Sequence, residues 1–553
     1  MKRLTIILLA MLPMLFVAKA ETIKVDSVGK LATLLPDSVR FTIADLSVSG
    51  PLNGADLKLL QQIVTRNKTN KKNPNECLVT SVDLSGATIE EGKDGLKTKA
   101  GELPSGLFSG AKSLTKVVLP QGITTIGKSC FEGCESLTDI TLPETVTEIG
   151  NGAFEDCKSL PSITLPENLT TIATNAFEGC KSFTTMTIPA GVRVLDADVF
   201  KECSALSRIT LPENLTQIGG EAFMGCEALD SVFIPENVKE IGVSAFKKCT
   251  ALSNIQMENV DKIGANAFEL CKSLTAINLN KISKIGANAF EGCSALANVT
   301  LDGSLDELSA DIFKNCTSLE NVTIPNSVKN IANEAFAECK SLAAITLPSG
   351  LTKIGSHAFE GCTSLKELSI PNMVKSIGSS AFEDCASLDS VAIDGFIDDI
   401  ASDLFRRCHN LRSITIPNTV RKIGSKAFQE CTALTSITLP VALTSIGDDA
   451  FAKCASLASI KLPVAVKEIG SSAFEGCVAL TSAELSAALK KIGGSAFAKC
   501  SSLKEVILNT SNPPSISNST FKGTSPTFFI PRGSRSAYKE NKDWKNISGY
   551  KDK

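Results

Sequence analysis

A hydrophobic pattern returns along this chain every 23 residues in nearly every case. Each return carries a phenylalanine, and from Cys134 to Cys500 a cysteine follows it three residues later. The surrounding repeat reads A-F-x-x-C-x-S-L-x-x-I-x-L-P-x-x-L-x-x-I-G. The phenylalanines stand at positions 108, 131, 154, 177, 200, 223, 246, 268, 290, 313, 336, 359, 382, 405, 428, 451, 474, 497 and 521. Such a period predicts stacked coils, each of which buries its apolar face against its neighbours.

Each repeat predicts two strands joined by a turn. Residues 137–142 alternate apolar and polar side chains with period two, which is typical of a half-buried strand. Pro143 cannot donate to a strand ladder and therefore ends it. A second apolar pair, Val146 and Ile149, follows before Gly150 turns the chain back. We expect the phenylalanines to point inward, where each buried ring stabilises the fold by about 1.5 to 3 kcal/mol.

The predicted fold class is an α/β-type repeat solenoid of the leucine-rich kind, mostly β with short turns and helices. A period of about 20 to 29 residues with the cadence L-x-x-I-x-L is typical of that class. The 19 repeats predict a curved, right-handed array of about 19 coils. We expect the longer strands to form one parallel sheet on the concave side, and function to lie on this long repeated surface.

Four segments are expected along the chain. Residues 1–20 resemble a signal peptide, because two basic residues precede an apolar run and 18–20 fit a small-x-small cleavage site. Residues 21–103 lack the repeat and predict an N-terminal capping region, with a helix over 54–65 and a strand over 80–89. The solenoid is expected over 104–530 and a C-terminal cap over 531–553. No second apolar run is long enough to span a membrane, so we expect an exported protein without a transmembrane segment after cleavage.

Charge is balanced along the sequence. The chain carries 56 Lys and Arg against 59 Asp and Glu, which gives a net charge of -3. The two signs are interspersed, and no basic stripe of the kind that binds phosphate backbones is present. We therefore expect no nucleic-acid partner.

The 19 cysteines allow two interpretations. In an exported protein they would normally form a disulfide framework. However, equivalent residues in stacked coils lie roughly 4.8 Å apart with parallel side chains, whereas a disulfide needs converging Cβ atoms about 3.8 Å apart. Seventeen of them form a ladder of odd number, with Cys77 and Cys130 outside it. We favour buried free thiols that act as small hydrophobes.

Motifs for catalysis are missing from the sequence. The two histidines, His357 and His409, fall at variable repeat positions that we expect to face solvent. Cys130 and Cys134 do not form a zinc-type pair, because Cys130 replaces a core alanine of the repeat. Acid pairs on the outward turns have no base or pocket around them. We expect no enzyme activity, no catalytic residue, no metal site and no cofactor.

A first candidate binding patch interrupts a row of outward threonines. Phe233, Gln256 and Asn278 replace threonine between the I and L positions of three successive repeats. A threonine row reflects β-propensity, but an exposed ring near arginine and amides is typical of interface hot spots. Two repeats here have 22 residues and lack the proline, which reflects neutral drift, a change of curvature or a binding patch. The predicted partner-binding residues are Arg208, Phe233, Asn254, Gln256 and Asn278.

A second candidate patch contains Phe396, Arg406, Arg407, His409 and Arg412. Tyrosine and tryptophan occur only in the last sixteen residues, where we expect them to fold the C-terminal cap. Their absence from the repeats argues against aromatic platforms that stack on sugars.

The motif A-F-x-x-C-x-x-L-x-x-I-x-L-P, which covers residues 104–530, closely resembles the BspA-like leucine-rich repeat proteins of the treponemal 23-residue class. That family is found on the surfaces of anaerobic oral and gut bacteria. The resemblance implies a cell-surface or secreted protein that mediates adhesion by binding host matrix proteins or other bacteria. The alternative is a glycan-capturing outer-surface protein of a nutrient-uptake system. No site residues transfer, because the shared motif is structural.

Overall fold

A computed structural model of the chain describes residues 19–40, 42–65, 78–547 and 549–553. The predicted leader, apart from residues 19 and 20, and Cys77 lie outside the described residues. The chain divides into two compact units, Met1–Leu215 and Thr216–Lys553. Each is a parallel β-solenoid of stacked coils with little helix. Among the described residues no helix has the length and apolar character of a membrane span.

The first unit begins with elements that lack the repeat but join its sheet. Lys19–Lys24 pairs in parallel with Ile43–Leu52, which pairs with Ser81–Asp83. Ser81–Asp83 then pairs with Lys116–Val118, the first longer strand of the phenylalanine repeats. The strand ladder therefore continues across residue 104, where the solenoid was expected to begin. The elements are strand Lys19–Lys24, helices Leu31–Leu34 and Asp37–Arg40, strand Ile43–Leu52, helix Gly54–Val64, and strands Ser81–Asp83, Ala87–Ile89 and Glu102–Leu103.

The prediction of one strand over 80–89 is wrong in detail. Two strands, Ser81–Asp83 and Ala87–Ile89, occupy this segment. The Asp83 carboxylate accepts a hydrogen bond from the Ser85 amide at 2.8 Å. Aspartate bonded to its own backbone two residues on initiates a turn, which ends the first strand.

The predicted helix over 54–65 is confirmed as Gly54–Val64. Asn53 caps its N-terminus, since its side chain accepts from the Asp56 amide at 3.3 Å while Asp56 accepts from the Asn53 amide at 3.1 Å. Asp56 is 2 % exposed and also accepts from the amides of Gly29 at 2.6 Å and Leu31 at 2.9 Å. One carboxylate therefore fixes the helix against the preceding loop, because a buried acceptor needs its donors.

Most coils of the first unit contribute one longer and one shorter strand, but the coil that contains Ile163 has only the shorter one. The longer strands are Lys116–Val118, Asp139–Thr141, Thr185–Thr187 and Arg208–Thr210. The shorter strands after Glu102–Leu103 are Thr125–Ile126, Glu148–Ile149, Thr171–Ile172 and Val194–Leu195. Strands of each kind pair in parallel with the equivalent strand of a neighbouring coil, for example Thr125 with Glu148.

The second unit continues the same arrangement. Its longer strands are Ser231–Phe233, Asn254–Gln256, Ala276–Asn278, Asn298–Thr300, Asn321–Thr323, Glu367–Ile370, Ser390–Ile393, Ser413–Thr415, Ser459–Lys461, Ser482–Leu485 and Glu505–Leu508. Its shorter strands are Gln217–Ile218, Glu240–Ile241, Lys262–Ile263, Lys284–Ile285, Glu307–Leu308, Asn330–Ile331, Lys353–Ile354, Ser376–Ile377, Asp399–Ile400, Lys422–Ile423, Ser445–Ile446, Glu468–Ile469 and Lys491–Ile492. The predicted solenoid is confirmed, but the expectation of one parallel sheet is wrong: the longer strands form several parallel sheets, because their ladder is interrupted at several coils. The right-handed sense of the solenoid and the concave position of the longer strands stay predictions.

Phenylalanine rings form the centre of the core, as predicted. From Phe108 to Phe497 every ring at the repeat position is 0 % exposed. Within each unit neighbouring rings stack, for example Phe336 on Phe359 with centroids 5.2 Å apart and planes 10° from parallel. Offset stacking of this kind adds to the free energy of burial. Within each unit the rings therefore link neighbouring coils.

The cysteine ladder is a row of buried free thiols. The Cys157 thiol donates to the carbonyl oxygen of Phe131 at 3.2 Å, and the same bond recurs along the ladder at 3.1 to 3.3 Å. Burial raises the pKa of the Cys134 thiol to about 12 and that of Cys157 well above its usual value. Free thiols are thus confirmed for the described cysteines, and Cys130 is buried and free as well.

In many coils a glycine follows the shorter strand at a point where its backbone lies very close to the backbone of the preceding coil. A Cβ atom on Gly447 would lie 2.7 Å from the amide nitrogen of Ser425 and 2.8 Å from the carbonyl carbon of Gly424 in the preceding coil. Only glycine allows this approach without moving the backbone. The glycine that the repeat places after the shorter strand therefore sets the close stacking of the coils.

The C-terminal end is covered by aromatic side chains. Its elements are strand Thr527–Ile530, helix Arg535–Glu540 and strand Tyr550–Asp552. Tyr538 and Trp544 are 0 % exposed, and Tyr550 is 8 % exposed. The Tyr538 hydroxyl donates to the Thr510 carbonyl at 2.8 Å, and the Trp544 indole donates to the Pro514 carbonyl at 2.6 Å. The three aromatics are therefore structural, as predicted.

Candidate functional site

Four of the five residues of the first predicted patch lie in the second unit, and Arg208 lies in the first. Arg208 is exposed and pairs with Thr185 in its own unit. Phe233 lies directly opposite Gln256 in the parallel ladder, while Ser231 lies opposite Asn254. The ring of Phe233 is 57 % exposed because its strand position faces outward. The structure therefore brings together Phe233, Asn254 and Gln256 on one exposed face.

Asn278 lies beyond an interruption of this ladder. Asn254–Gln256 and Ala276–Asn278 belong to different sheets although they are equivalent strands of successive coils. On the other side of the same coils the shorter strands stay paired, with Lys262 opposite Lys284. These two coils are therefore joined by backbone hydrogen bonds along their shorter strands, while their longer strands do not pair. This opening between the longer strands falls at the 22-residue repeats.

A groove occupies the opening. It has a volume of about 470 Å³. Its polar lining residues are Asn254, Gln256, Glu258, Asn278, Asn280 and Thr300. The Asn278 side-chain oxygen accepts from the Asn280 amide at 3.0 Å. In the described part of the chain the side-chain amides of Asn254 and Gln256 have no hydrogen-bond partner, so they are free to bind one.

Glu258 and Asn280 are site residues that sequence reasoning missed. They stand where other repeats have the proline that ends the longer strand. Both line the groove. The loss of proline in two successive repeats was the signal for them, because this position lies at the end of the longer strand and next to its outward residues.

Similar interruptions occur elsewhere on the longer-strand side. In the first unit the depression around Ile163, Leu165 and Ile188 has a volume of about 940 Å³, which exceeds that of the groove. Another in the second unit, beside Asn321 and Lys366, has about 510 Å³. We favour the groove at Asn278 because an exposed aromatic ring adjoins it, and aromatic anchors contribute more to binding than open volume does.

The second predicted patch does not lie on one surface. Phe396, 71 % exposed, lies in the turn that joins Ser390–Ile393 to Asp399–Ile400. Arg406 and Arg407 follow that shorter strand and therefore lie on a different turn of the coil. The structure separates the ring of Phe396 from these two arginines.

Acidic side chains of the preceding coil hold both arginines. Arg407 pairs with Glu383 at 2.9 Å and also with Asp384, while Arg406 pairs with Glu383 at 3.2 Å. Glu383 is 6 % exposed, and a buried carboxylate needs such partners. The arginines are therefore structural ion-pair partners.

The other two residues of this patch make single polar contacts. Arg412 pairs with Asp389 at 3.0 Å, with both side chains exposed. The His409 ring nitrogen Nδ1 lies 3.1 Å from the Glu430 carbonyl oxygen. An exposed ion pair contributes little to stability, so Arg412 is the patch member that could exchange its partner most easily.

His357, Glu360 and Glu383 form a cluster of ligand-type atoms, all within 4.8 Å of one another. His357 was expected to face solvent, but its side chain is 42 % exposed and its Nδ1 lies 2.7 Å from Glu360. The third member, Glu383, already pairs with Arg406 and Arg407. A cation would have to compete with these pairs, so we assign no metal site here.

A comparison with known protein families identifies the family to which the repeat is similar. The chain matches the family described as the BspA type leucine-rich repeat region over residues 101–230, 218–343, 306–435 and 421–534. The match confirms the resemblance seen in the sequence. No curated protein matches the chain.

Solved structures similar to the chain include three bacterial leucine-rich repeat proteins. One from Bacteroides ovatus is 24% identical, covers 84% of this chain and 90% of its own, and has a TM-score of 0.33. A leucine-rich cell surface protein from Faecalibacterium prausnitzii is 27% identical over 58% of this chain and 86% of its own, with a TM-score of 0.38. The T. pallidum leucine-rich repeat protein is 29% identical over 37% and 77%, with a TM-score of 0.27. With its stacked parallel coils and a family match over most of its length, this chain belongs to the BspA type leucine-rich repeat family.

Proposed function

We propose that the chain is an exported, cell-surface or secreted protein that binds a protein ligand through the longer-strand face of its second unit. The observation that carries the proposal is the ring of Phe233, 57 % exposed beside the open groove at Asn278. A bare ring on a polar strand face contributes nothing to the core. Buried by a partner, such a ring is the kind of anchor that dominates protein interfaces.

The ligands we propose are host matrix proteins or surface proteins of other bacteria. Membership of the family supports this, because leucine-rich repeat solenoids are typically non-enzymatic scaffolds that bind proteins. The parallel ladders support it too, since within each sheet equivalent side chains of successive coils form a row on the surface, as Phe233 does with Gln256 and Asn278 with Thr300. A long partner can contact that surface over several coils.

A glycan-capturing surface protein of a nutrient-uptake system is the second candidate. The groove favours it, because the amides of Asn254, Gln256 and Asn278 can bind sugar hydroxyls. Against it, the nearest aromatic side chain, Phe233, stands alone and has no hydroxyl or indole group. Glycan sites use aromatic faces with polar groups around them, and one phenylalanine offers little of this.

A binding panel distinguishes the two candidates. The chain from residue 19 onward, which keeps every described element, is presented to immobilised matrix proteins and to immobilised polysaccharides. The protein-binding proposal expects saturable binding to a matrix protein and none to the polysaccharides. Saturable binding to a polysaccharide alone would replace it with the glycan proposal, and enzyme activity on either class would overturn both.

Replacing Phe233 with threonine should weaken binding to the ligand that the panel identifies by about 2 kcal/mol, or about thirtyfold. Thr at this position restores the outward threonine row, so the thermal unfolding temperature should stay the same or rise slightly. Surface plasmon resonance and differential scanning calorimetry measure the two effects.

Val243→Thr is the matched control for Phe233→Thr. Val243 is 54 % exposed in the same unit, but it lies after the shorter strand Glu240–Ile241 and not on the longer-strand face. The Val243→Thr variant should therefore bind the ligand with the same affinity as the wild type. If Phe233→Thr binds the ligand as tightly as the wild type does, or if the variant loses much of its stability, then Phe233 has a structural role and is not a binding residue.

A further inference from the structure

The turn between the longer and the shorter strand changes character along the chain. In early coils it carries acidic and polar pairs such as Glu144-Thr145 and Glu167-Asn168. In later coils of the second unit the same turn carries large apolar side chains that point into solvent. They are Met373, 50 % exposed, Phe396, 71 %, Val441, 70 %, and Val464, 78 %. We call these four residues the apolar ridge.

The ridge side chains lie in four of five successive coils on one edge of the second unit, and the coil between those of Phe396 and Val441 carries the polar pair Asn418-Thr419 in this turn. The Phe396 amide donates to the Val374 carbonyl at 3.1 Å, which sets Phe396 beside Met373. Ser445 lies opposite Glu468 in the shorter-strand ladder, so Val441 and Val464, each four residues earlier, lie in equivalent positions. Coils of a parallel ladder are about 4.8 Å apart, so the ridge extends over roughly 20 Å.

Unpaired cations border this ridge. Within residues 366–493, all of which the structure describes, six exposed cations on or beside the shorter strands make no salt bridge. They are Lys375, Arg421, Lys422, Lys467, Lys490 and Lys491. Three acids, Asp398, Asp399 and Glu468, share the same two columns. The edge therefore carries a surplus of positive charge next to its apolar side chains.

Several cations elsewhere on these coils form ion pairs. Lys453 pairs with Glu430 at 2.7 Å, and Lys499 pairs with Glu475 at 2.7 Å. At the ridge the Lys490 amide donates to the Lys467 carbonyl at 2.8 Å, so these two like charges lie in successive coils, whereas Lys422 lies opposite Asp399 and Lys491 opposite Glu468. Like charges in directly neighbouring strands destabilise a sheet. An external anionic surface would remove that repulsion.

We propose that this edge of the second unit docks on an anionic lipid surface, with the apolar ridge inserted among the headgroups and the six cations over the lipid phosphates. The ridge side chains protrude singly from turns. A fluid lipid layer accommodates such a row, whereas a protein partner would need a pocket for each side chain. Apolar side chains beside basic ones are the combination that holds proteins at membrane interfaces. This surface is distinct from the groove at Asn278.

Co-sedimentation with lipid vesicles tests the proposal. The chain from residue 19 onward is used, because the apolar run before it would bind lipid on its own account. It should sediment with vesicles of equimolar phosphatidylglycerol and phosphatidylcholine, and at least about tenfold less with phosphatidylcholine alone. Raising the salt concentration to about 0.5 M should release most of it, because screening weakens exposed charge interactions.

The double variant Phe396→Ser/Val464→Ser should lower the partition coefficient on the anionic vesicles about tenfold or more. Lys490→Gln/Lys491→Gln should lower it severalfold and reduce the salt dependence. Val478→Ser is the matched control, because Val478 is 46 % exposed in the same unit but follows Cys477, away from the ridge. Circular dichroism confirms that each variant is folded.

Three outcomes would overturn the lipid proposal. The first is a wild-type chain that stays in the supernatant with anionic vesicles. The second is unchanged partition of both double variants. The third is a dimer of the wild-type chain in sedimentation equilibrium that Phe396→Ser/Val464→Ser dissociates, which would assign the ridge to a second copy of the chain. None of these affects the binding of Phe233 to its ligand.

Discussion

Raising the pH from about 8 to about 9.5 should lower the free energy of unfolding by about 0.8 kcal/mol for every coil that unfolds with its thiol. Ten coils that unfold together would lose about 8 kcal/mol, which is comparable to the whole stability of an ordinary domain. The guanidinium midpoint at a series of pH values measures the effect. In few other folds should the free energy of unfolding fall so steeply between pH 8 and 9.5.

The sign follows from the buried thiols. Burial raises the pKa of the ladder cysteines above the ordinary value of 9.0, to about 12 for Cys293 and Cys454. Below the ordinary value both folded and unfolded chains keep the proton, so the full stability is present. Above it the unfolded chain releases protons that the folded chain retains, so the free energy of the unfolded state falls relative to that of the folded state. Stability is therefore lost as the pH rises.

The pH range from 6 to 7.5 serves as the control, because very few thiols ionise there in either state and their contribution to the slope is small. Tyrosines and lysines ionise mostly above the tested range. A midpoint that stays constant between pH 8 and 9.5 would show that the thiols are not buried in protonated form.

Phe336→Ala should destabilise the second unit by about 4 kcal/mol, within the usual range for a fully buried ring. Phe336 is 0 % exposed and stacks on Phe313 at 5.6 Å and on Phe359 at 5.2 Å. Its removal leaves a cavity that neighbouring rings, fixed in their own coils, cannot fill. Chemical denaturation gives the magnitude, and hydrogen exchange should show faster opening of the coils on both sides.

Phe233→Ala is the matched control, since it removes the same side chain from an exposed site in the same unit. It should change stability by less than about 0.5 kcal/mol. A loss below about 1 kcal/mol for Phe336→Ala would contradict the role of the stacked rings in linking the coils.

Periodicity alone predicted most of the core. The spacing of 23 residues identified the inward phenylalanines, and the geometry of stacked coils favoured free thiols over disulfides. The bond from each thiol to the carbonyl oxygen of the repeat phenylalanine in the preceding coil could not be predicted, because it depends on the side-chain rotamer of cysteine. The split of residues 80–89 into two strands depended on a local bond of Asp83.

The candidate site was predicted in part. Alternation with period two placed Phe233, Gln256 and Asn278 on the outside, and the structure agrees. The groove between Gln256 and Asn278 could not be predicted, because whether two strands pair depends on how their coils stack.

The residues of the second patch do not lie together, and the sequence contained the reason. Charges one repeat apart face each other in neighbouring coils. Arg407 stands 23 residues after Asp384 and pairs with it, whereas the sequence interpretation grouped the arginines with Phe396 from their own repeat. Charges in a solenoid are therefore best compared at the repeat distance.

A count of reactive thiols in the unreduced chain, before and after unfolding, tests whether stacked phenylalanines and buried protonated thiols hold the coils together and leave binding to the outer surface. We expect almost no reactive thiol in the folded chain at neutral pH and at least the 18 described free thiols after denaturation. Recovery of only a few thiols from the denatured, unreduced chain would show that the cysteines pair and would contradict this expectation.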